Sequence, residues 1–295
     1  MTIWVTGCNG MLGRELCETL SRHEIAWTGS GREIDITDAS AVREYAAAHK
    51  PAWIINCAAY TNVDKAESDQ EQAMQTNGIG PGVLAVLAAG LEIPLVHFST
   101  DYVFDGSSPV AYKETDQTRP LSVYGKTKLA GELRIVESAK KFYIFRISWL
   151  YGLYGKNFVA TILRLLKEKQ ELTIIDDQRG SPTWTKNLAE NIVHLITHPG
   201  QEFGIYHCAD EGVISWHEFA VAIADLALER GLIERAIPIR PIPTEAYPLP
   251  AVRPKNSAFD KTNVKRLGFI LSPWRDNLAR HLDQLVFIES GCILR

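Results

Sequence analysis

The sequence lacks several features that mark whole classes of protein. Its five cysteines are scattered through 295 residues and form no C-x-x-C pair, so neither a zinc site nor a disulfide framework is predicted. Its 31 basic and 35 acidic residues form no block of one sign, whereas a nucleic-acid-binding protein needs a basic face. No apolar run approaches the ~20 residues of a membrane-spanning helix. We therefore expect neither nucleic acid nor a membrane as a partner.

A leader-like pattern is also missing. The strand-like segment TIWVTG begins at residue 2, without a basic region and a long apolar stretch before it. Cysteines without a pairing pattern suit a reducing compartment, so we expect a cytoplasmic protein. An apolar fraction of 46% and a charged fraction of 22% are ordinary for a globular chain with a substantial core.

Short apolar segments alternate with helical patterns through the first half of the chain. Nearly continuous apolar strands joined by helices are typical of a parallel sheet covered on both faces, and right-handed crossovers make such a sheet doubly wound. We therefore predict an α/β protein with a doubly wound parallel sheet of the Rossmann type. The predicted strands are residues 3–7, 24–29, 52–59, 93–100 and 142–152.

This alternation changes after about residue 153, where amphipathic helical patterns and two short strands follow. Residues 237–254 hold six prolines in eighteen positions, which predicts a long ordered loop and excludes a helix. We predict a Rossmann domain at 1–152 and a smaller α/β substrate-binding region at 153–295, from which the chain can cross back to the sheet. That region is expected at the C-terminal edge of the sheet, where ligands bind.

A glycine-rich turn follows the first predicted strand. Gly7, Gly10 and Gly13 permit a tight turn, a close approach of backbone N–H groups to a pyrophosphate, and close packing of helix on strand. The helix that begins there adds a partial positive charge beneath the phosphates. This turn within a strand–helix–strand pattern predicts a dinucleotide-binding site.

The end of the second predicted strand bears on the choice of dinucleotide. A carboxylate there typically binds the ribose 2′-hydroxyl of NAD(H), but residues 27–32 read WTGSGR and include none. Ser30 and Arg32 offer a hydroxyl and a guanidinium to a 2′-phosphate instead. We predict NADPH as the cofactor, with NADH as the alternative.

A Tyr-x-x-x-Lys motif begins the helix predicted after the fourth strand. Tyr124 and Lys128 are four residues apart and share one helical face. A free tyrosine has a pKa of about 10, and we expect the Lys128 ammonium to lower the pKa of Tyr124 toward the range useful for proton transfer. Thr100, at the end of the fourth strand, offers a hydroxyl to a substrate carbonyl oxygen, and Asp101 can orient the substrate. These residues predict a carbonyl reductase.

Together these motifs resemble those of the dTDP-4-dehydrorhamnose reductases, which belong to the extended short-chain dehydrogenases/reductases. The G-x-x-G-x-x-G spacing is similar to theirs, and the resemblance runs over nearly the whole length. It is carried by TGCNGMLGREL (6–16), DITD (35–38), NCAAYTNVDKAE (56–67), STDYVFDG (99–106), YGKTKLAGE (124–132), FRISWLYG (145–152), NFV (157–159), DDQRGSPT (176–183) and RPKNS (253–257).

The resemblance implies a reaction: NADPH-dependent reduction of the C4 ketone of dTDP-4-dehydro-L-rhamnose to dTDP-L-rhamnose. Tyr124 would give a proton to the C4 oxygen, Lys128 would assist it, and Thr100 would polarise the carbonyl. The Trp149 ring would pack on the deoxysugar. The implied substrate contacts are Thr100, Asp101, Tyr102, Trp149, Asn157, Arg253 and Lys255, the last two as clamps on the diphosphate. The implied cofactor contacts add Met11, Leu12, Asp35, Ile36, Ala59, Tyr60 and Thr61 to the residues already named.

Some members of this family dimerise around a magnesium ion held by glutamates. Glu15 matches one such ligand, but Lys186 and Gln284 stand where the others align, and a charged lysine cannot ligate a hard cation. We predict no structural metal, and we keep a monomer and a homodimer as alternatives.

Two other functions stay open. One is a different nucleotide-sugar epimerase or epimerase/reductase, which needs an additional acid–base pair, for which Cys57 and His97 are candidates. The other is a regulatory subunit that binds NADP without catalysis, which the intact sugar-side motifs disfavour.

Overall fold

Strands and helices alternate along the chain in this computed structural model, which describes residues 1–289. The strands are β1 Ile3–Thr6, β2 Trp27–Ser30, β3 Trp53–Asn56, β4 Leu95–Thr100, β5 Phe142–Ile147, β6 Leu150–Tyr151, β7 Leu172–Ile175, β8 Arg179–Gly180, β9 Thr183–Trp184, β10 Gly204–Cys208, β11 Ile214–Ser215 and β12 Ile239–Ile242. The α-helices are α1 Met11–Arg22, α2 Ala39–His49, α3 Val63–Ala66, α4 Gln70–Met74, α5 Gly80–Gly90, α6 Val123–Ser138, α7 Phe158–Glu168, α8 Thr185–Thr197, α9 Trp216–Glu229, α10 Thr262–Arg266 and α11 Trp274–Glu289. A π-helical turn, Gln75–Ile79, joins α4 to α5.

Six strands form one parallel sheet in the order β10-β5-β4-β3-β1-β2. β1, β3 and β4 are buried along their whole length because helices cover both faces of the sheet. One face packs on Leu16 of α1 and Ile192 of α8, and the other on Val42 of α2 and Leu84 of α5. The predicted doubly wound parallel sheet is confirmed.

The strand order reverses at β1. The chain moves from β1 to β2 on one side and then returns to place β3 on the other side. The loops that follow β1 and β3 therefore lead away from each other and leave a crevice at the carboxyl ends of these strands, which is where doubly wound sheets bind ligands.

The second half of the chain contributes to the same sheet. β10 extends it beside β5, and α8 packs against α1. A separate apolar cluster brings together Phe219 and Ile223 of α9, Ile162 of α7 and Leu282 of α11. The division into 1–152 and 153–295 stays a prediction, and the return of the chain to the large sheet after residue 152 is a feature of the structure.

Two local predictions are corrected. The strand predicted at 142–152 is divided into β5 and β6 because Trp149 between them has a φ of 49°, a conformation that no strand adopts. The proline-rich loop predicted at 237–254 begins with a strand, β12, which pairs with β7. Prolines are compatible with this strand because proline lacks an N–H group but keeps its carbonyl. The Pro238 carbonyl accepts a hydrogen bond from the Leu172 nitrogen at 2.9 Å.

Among residues 1–289, no helix combines the length and the apolar composition that crossing a bilayer requires. Cys8, Cys17, Cys57 and Cys208 are free thiols, and the fifth cysteine, at position 292, lies outside the described residues.

Candidate active site

The glycine turn lies in the crevice between β1 and β3. Gly7 has a φ of 65°, and a Cβ there would lie 2.6 Å from the Ala58 nitrogen, so only glycine fits. A Cβ on Gly13 would overlap the Gly7 carbonyl, which in turn accepts from the Gly10 nitrogen at 2.9 Å. No side chain caps the N-terminus of α1, so its first N–H groups are available to an anion. This geometry fits the pyrophosphate of a dinucleotide.

Of the predicted cofactor contacts beside the glycine turn, some are accessible at the site and others belong to the hydrophobic core. Met11 is half-buried at the first position of α1, whereas Leu12 belongs to the core and offers only its backbone. Asp35 is exposed, and its carboxylate accepts from the backbone and side chain of Thr37. Ile36 is also a core residue. Contacts of Leu12 and Ile36 with a cofactor stay predictions.

The end of β2 differs from what the sequence predicted. Ser30 is fully buried and its hydroxyl accepts from the Trp4 indole at 2.9 Å, so it does not fit the predicted role of phosphate ligand. Arg32 is exposed, as that role requires. A carboxylate does lie at this place: Glu33 accepts from the Gly31 nitrogen at 2.5 Å. The sequence did not predict this position for Glu33, because only the fold of the loop brings residue 33 back to the end of the strand.

The segment after β3 is fixed by a residue that the sequence did not identify. Asn77, fully buried in the π-helical turn, accepts from the Tyr60 nitrogen at 2.8 Å and donates to the Tyr60 carbonyl at 3.0 Å. The Asn77 amide also lies 3.2 Å from the Thr127 hydroxyl of α6. Ala59 is half-buried and Thr61 is exposed on either side of Tyr60. Asn77 thereby joins the predicted cofactor segment to the helix of the Tyr-x-x-x-Lys motif.

Tyr124 lies in the first turn of α6, beside the end of β4. The helix begins there because the Ser122 hydroxyl accepts from the Gly125 nitrogen. Burial raises the pKa of Tyr124 to about 12, a hydrogen bond with Thr100 acts in the opposite direction, and the Asp101 carboxylate raises it further. Tyr124 therefore holds its proton at neutral pH. The structure thus brings together Tyr124, Thr100 and Asp101 as the sequence predicted.

Lys128 is fully buried one turn further along α6. Its Nζ donates to the Phe98 carbonyl at 2.5 Å and lies 3.4 Å from the His97 ring. Burial lowers the pKa of Lys128 to about 8, and the nearby carboxylate of Glu132 and thiol of Cys57 act in the opposite direction. The expectation that Lys128 lowers the pKa of Tyr124 is wrong for this structure, because its amine is directed to Phe98.

Asp101 is almost fully buried at the end of β4. One oxygen accepts from the Thr100 hydroxyl at 2.9 Å, while Oδ2 has no hydrogen-bond partner. Burial raises the pKa of this carboxyl to about 6, and the neighbouring hydroxyls of Ser257 and Thr100 oppose the rise. Tyr102 packs edge-on against Tyr124, with ring centroids 5.6 Å apart. Asp101 therefore has one buried oxygen without a hydrogen-bond partner near Tyr124.

Trp149 and Asn157, the other predicted sugar contacts, already contact other parts of the protein. Trp149 stacks on Trp216 with ring centroids 3.5 Å apart, so one face of its indole is already covered. The Asn157 side chain accepts from the Ala160 nitrogen and donates to the Gly152 carbonyl. The predicted role of Asn157 in substrate binding does not fit this arrangement, because its amide caps α7.

The predicted diphosphate clamp is paired within the protein. The Arg253 guanidinium makes two hydrogen bonds to the Asp64 carboxylate, at 2.7 and 3.0 Å. Lys255 is exposed and lies 3.6 Å from the Glu245 carboxylate. Lys255 is thus accessible to an anion, whereas Arg253 must share its donors with Asp64.

Glu15, which the family resemblance matched to a metal ligand, is buried. Burial raises the pKa of Glu15, and the nearby Lys186 charge lowers it. In the described part of the chain, no three His, Cys, Asp or Glu side chains are grouped so that they could hold a metal ion.

The doubly wound sheet, the glycine cradle at its crevice and the Tyr124–Lys128 pair define a short-chain dehydrogenase/reductase. A family model described as RmlD substrate binding domain matches residues 1–287, and the chain belongs to that family. This confirms the resemblance identified from the sequence.

Individual relatives agree over nearly the whole length. A dTDP-4-dehydrorhamnose reductase of Burkholderia thailandensis is 40% identical over 285 residues, which cover 93% of this chain and 96% of that protein. The crystal structure of a dTDP-4-dehydrorhamnose reductase from Clostridium acetobutylicum superimposes with a TM-score of 0.91 at 38% identity, covering 97% of this chain and 99% of that one. The crystal structure of a dTDP-4-dehydrorhamnose reductase from Bacillus anthracis in complex with NADP superimposes with a TM-score of 0.90 at 38% identity, covering 96% of this chain and 99% of that one.

Proposed function

We propose that this protein reduces the C4 ketone of dTDP-4-dehydro-L-rhamnose to the alcohol of dTDP-L-rhamnose with NADPH. The observation that carries the proposal is the group at the end of β4, where Tyr124 meets Thr100 and the buried carboxyl of Asp101. The membership of the family and the names of the relatives support this substrate and this cofactor.

The residues divide the reaction between them. NADPH bound at the glycine cradle would supply the hydride for C4. Negative charge then develops on the C4 oxygen, and the Thr100 hydroxyl can stabilise that charge. Tyr124 is protonated at neutral pH, and it gives this proton to the forming alkoxide. Lys128, at the next turn of the same helix, assists Tyr124.

Other residues bind the sugar and the diphosphate of the substrate. The unpartnered oxygen of Asp101 accepts a sugar hydroxyl, and the exposed part of Trp149 packs on the sugar ring. The exposed Lys255 attracts the diphosphate, and Arg253 contributes from its pair with Asp64.

An epimerase is disfavoured by the two residues that it would need. Burial raises the pKa of Cys57 well above its usual value and lowers that of His97 well below. A thiol that keeps its proton and an imidazole that stays neutral are poorly suited to the abstraction and return of a proton at carbon.

The test is the absorbance of the nicotinamide band with dTDP-4-dehydro-L-rhamnose, under NADPH and NADH separately. We expect oxidation that depends on the ketone and is faster with NADPH. Tight NADPH binding without oxidation by any nucleotide-linked keto-sugar would instead favour a regulatory subunit. Uptake of solvent deuterium by the sugar without any dinucleotide would favour an epimerase.

A further inference from the structure

A row of buried polar side chains crosses the sheet beneath the active site. The strand register places Thr6 of β1 beside Asn56 of β3, and Asn56 beside His97 of β4. All three are at most 1% exposed. Polar groups so deep in a parallel sheet need hydrogen-bond partners, and these three supply them to one another.

The hydrogen bonds fix the orientation of the central amide. Asn56 Oδ1 accepts from the Thr6 hydroxyl at 2.7 Å and from the backbone nitrogen of Ala58 at 3.1 Å. A backbone N–H can only donate, so the atom facing Ala58 must be the oxygen. The Asn56 amide nitrogen therefore faces His97, where it lies 3.0 Å from Nδ1.

This orientation selects one tautomer of His97. Nδ1 accepts from the Asn56 amide, so in a neutral ring the proton lies on Nε2. The ring is neutral because burial and the nearby Lys128 charge hold the pKa of His97 well below its usual value. The Nε2–H group then faces the amine of Lys128 across 3.4 Å.

An N–H group in that position acts on the two forms of Lys128 in opposite ways. The neutral amine has a lone pair that accepts from Nε2–H, whereas the ammonium meets the positive end of the N–H dipole. The other titratable groups facing Lys128 are Glu132 on its own helix and Cys57 after β3. The Glu132 carboxylate is bound by Arg146 at 2.7 Å, which offsets its charge.

We propose that His97 is a positioning residue for Lys128: its Nε2–H, directed by Asn56, stabilises the neutral amine and so lets Lys128 release a proton toward Tyr124. Under the proposed function, on which this last step rests, that proton restores Tyr124 after each reduction. The Lys128 amine regains its own proton from solvent.

Asn56→Asp tests the proposal with a change of almost no volume. Oδ1 of the new aspartate keeps the hydrogen bonds from Thr6 and Ala58. Its second oxygen replaces the amide nitrogen and accepts a hydrogen bond from His97 Nδ1, which must then carry the proton. The tautomer of His97 then reverses, and Nε2 becomes an acceptor for the Lys128 ammonium. We expect the pKa of Lys128 to rise by roughly one unit.

Nuclear magnetic resonance of the protein without substrate or dinucleotide measures both effects. Spectra of ¹⁵N-histidine protein report the tautomer, with His97→Phe identifying the signal, and ¹³Cε-lysine spectra report the titration of Lys128, with Lys128→Met identifying it. A parent protein with His97 protonated at Nδ1 overturns the proposal, whether or not the Asn56→Asp variant folds. Equal shifts for Asn56→Asp in the parent and in the His97→Phe background also overturn it, since charge alone would then explain them. None of these readouts depends on ketone reduction, so the proposed function stands or fails separately.

Discussion

Arg253, near the end of the proline-rich segment, holds the Asp64 carboxylate of α3 with both terminal nitrogens of its guanidinium. The same carboxylate accepts from the Ala251 nitrogen at 3.2 Å, so Asp64 organises the loop as well as the arginine. This pair joins two segments 189 residues apart, and both of its charges lie near Tyr102.

Replacing Arg253 by Gln should lower the free energy of unfolding by about 1–2 kcal/mol at pH 7, because it leaves Asp64 partly buried without its cation. Hydrogen bonding from Arg253 lowers the pKa of Asp64 in the folded protein. The pair therefore stabilises the fold above the pKa of the unfolded carboxyl, about 3.9, and this stabilisation is lost as the pH falls below it. Denaturant unfolding at pH 7 and pH 3 measures the difference between parent and variant, which should shrink at pH 3.

In the Arg253→Gln variant, the KM for the nucleotide sugar should rise and the KM for NADPH should stay unchanged. Lys255→Gln is the matched control for stability, since this exposed cation should contribute less than about 0.5 kcal/mol. An equal loss of stability in both variants would contradict the importance of the Arg253–Asp64 pair.

Tyr124→Phe should reduce the rate of ketone reduction by about a thousandfold, because the proton donor is removed while the ring is kept. NADPH affinity, measured by fluorescence titration, should change little. Tyr143→Phe is the control: it removes a hydroxyl that donates to the Gln201 carbonyl at 3.0 Å, away from the cradle and the Tyr124 site. Unchanged turnover in Tyr124→Phe would remove Tyr124 from the mechanism.

Asp101→Asn should make the protein more stable and less active. The folded-state pKa of Asp101 is about 6, above the unfolded value of about 3.9, so the folded state holds the proton more tightly. The ionised carboxylate therefore lowers the free energy of unfolding by about 3 kcal/mol at pH 7, and this cost vanishes as the pH falls below 4.

The stability gained by Asp101→Asn should accordingly be present at pH 7 and absent at pH 4, as measured by denaturant unfolding. Asp225→Asn, at an exposed position of α9, is the control and should change stability by less than about 0.5 kcal/mol at either pH. A gain of equal size at both pH values would show that ionisation of Asp101 is not its cause.

Glu33 and Arg32 should influence the choice of dinucleotide in opposite directions. Glu33→Gln removes a negative charge from the end of β2 and should lower the KM for NADPH relative to NADH, while Arg32→Gln should raise it. Steady-state rates with each dinucleotide measure the ratio. No change of the ratio in either variant would place the 2′-phosphate elsewhere.

The sequence by itself determined the sheet and the glycine turn, and it supplied the residues proposed for the chemistry. Apolar periodicity predicts strands because burial on both faces demands it, and the spacing of Tyr124 and Lys128 follows from the pitch of a helix. Only the tertiary structure decided what each polar group faces. The Ser30 hydroxyl faces the Trp4 indole and Asn77 holds Tyr60, and neither partner is near in sequence. Asn157 bonds to Ala160, only three residues along the chain, once α7 begins there.

The same distinction explains the error about the Tyr124–Lys128 pair. A motif fixes the separation of two side chains along a helix, but pKa values depend on burial and on neighbours from other strands. Burial raises the pKa of Tyr124, and the Lys128 amine is directed to Phe98 and His97 of β4. The sequence predicts which groups react, and the packing of α6 on the sheet decides the form in which each one holds its proton.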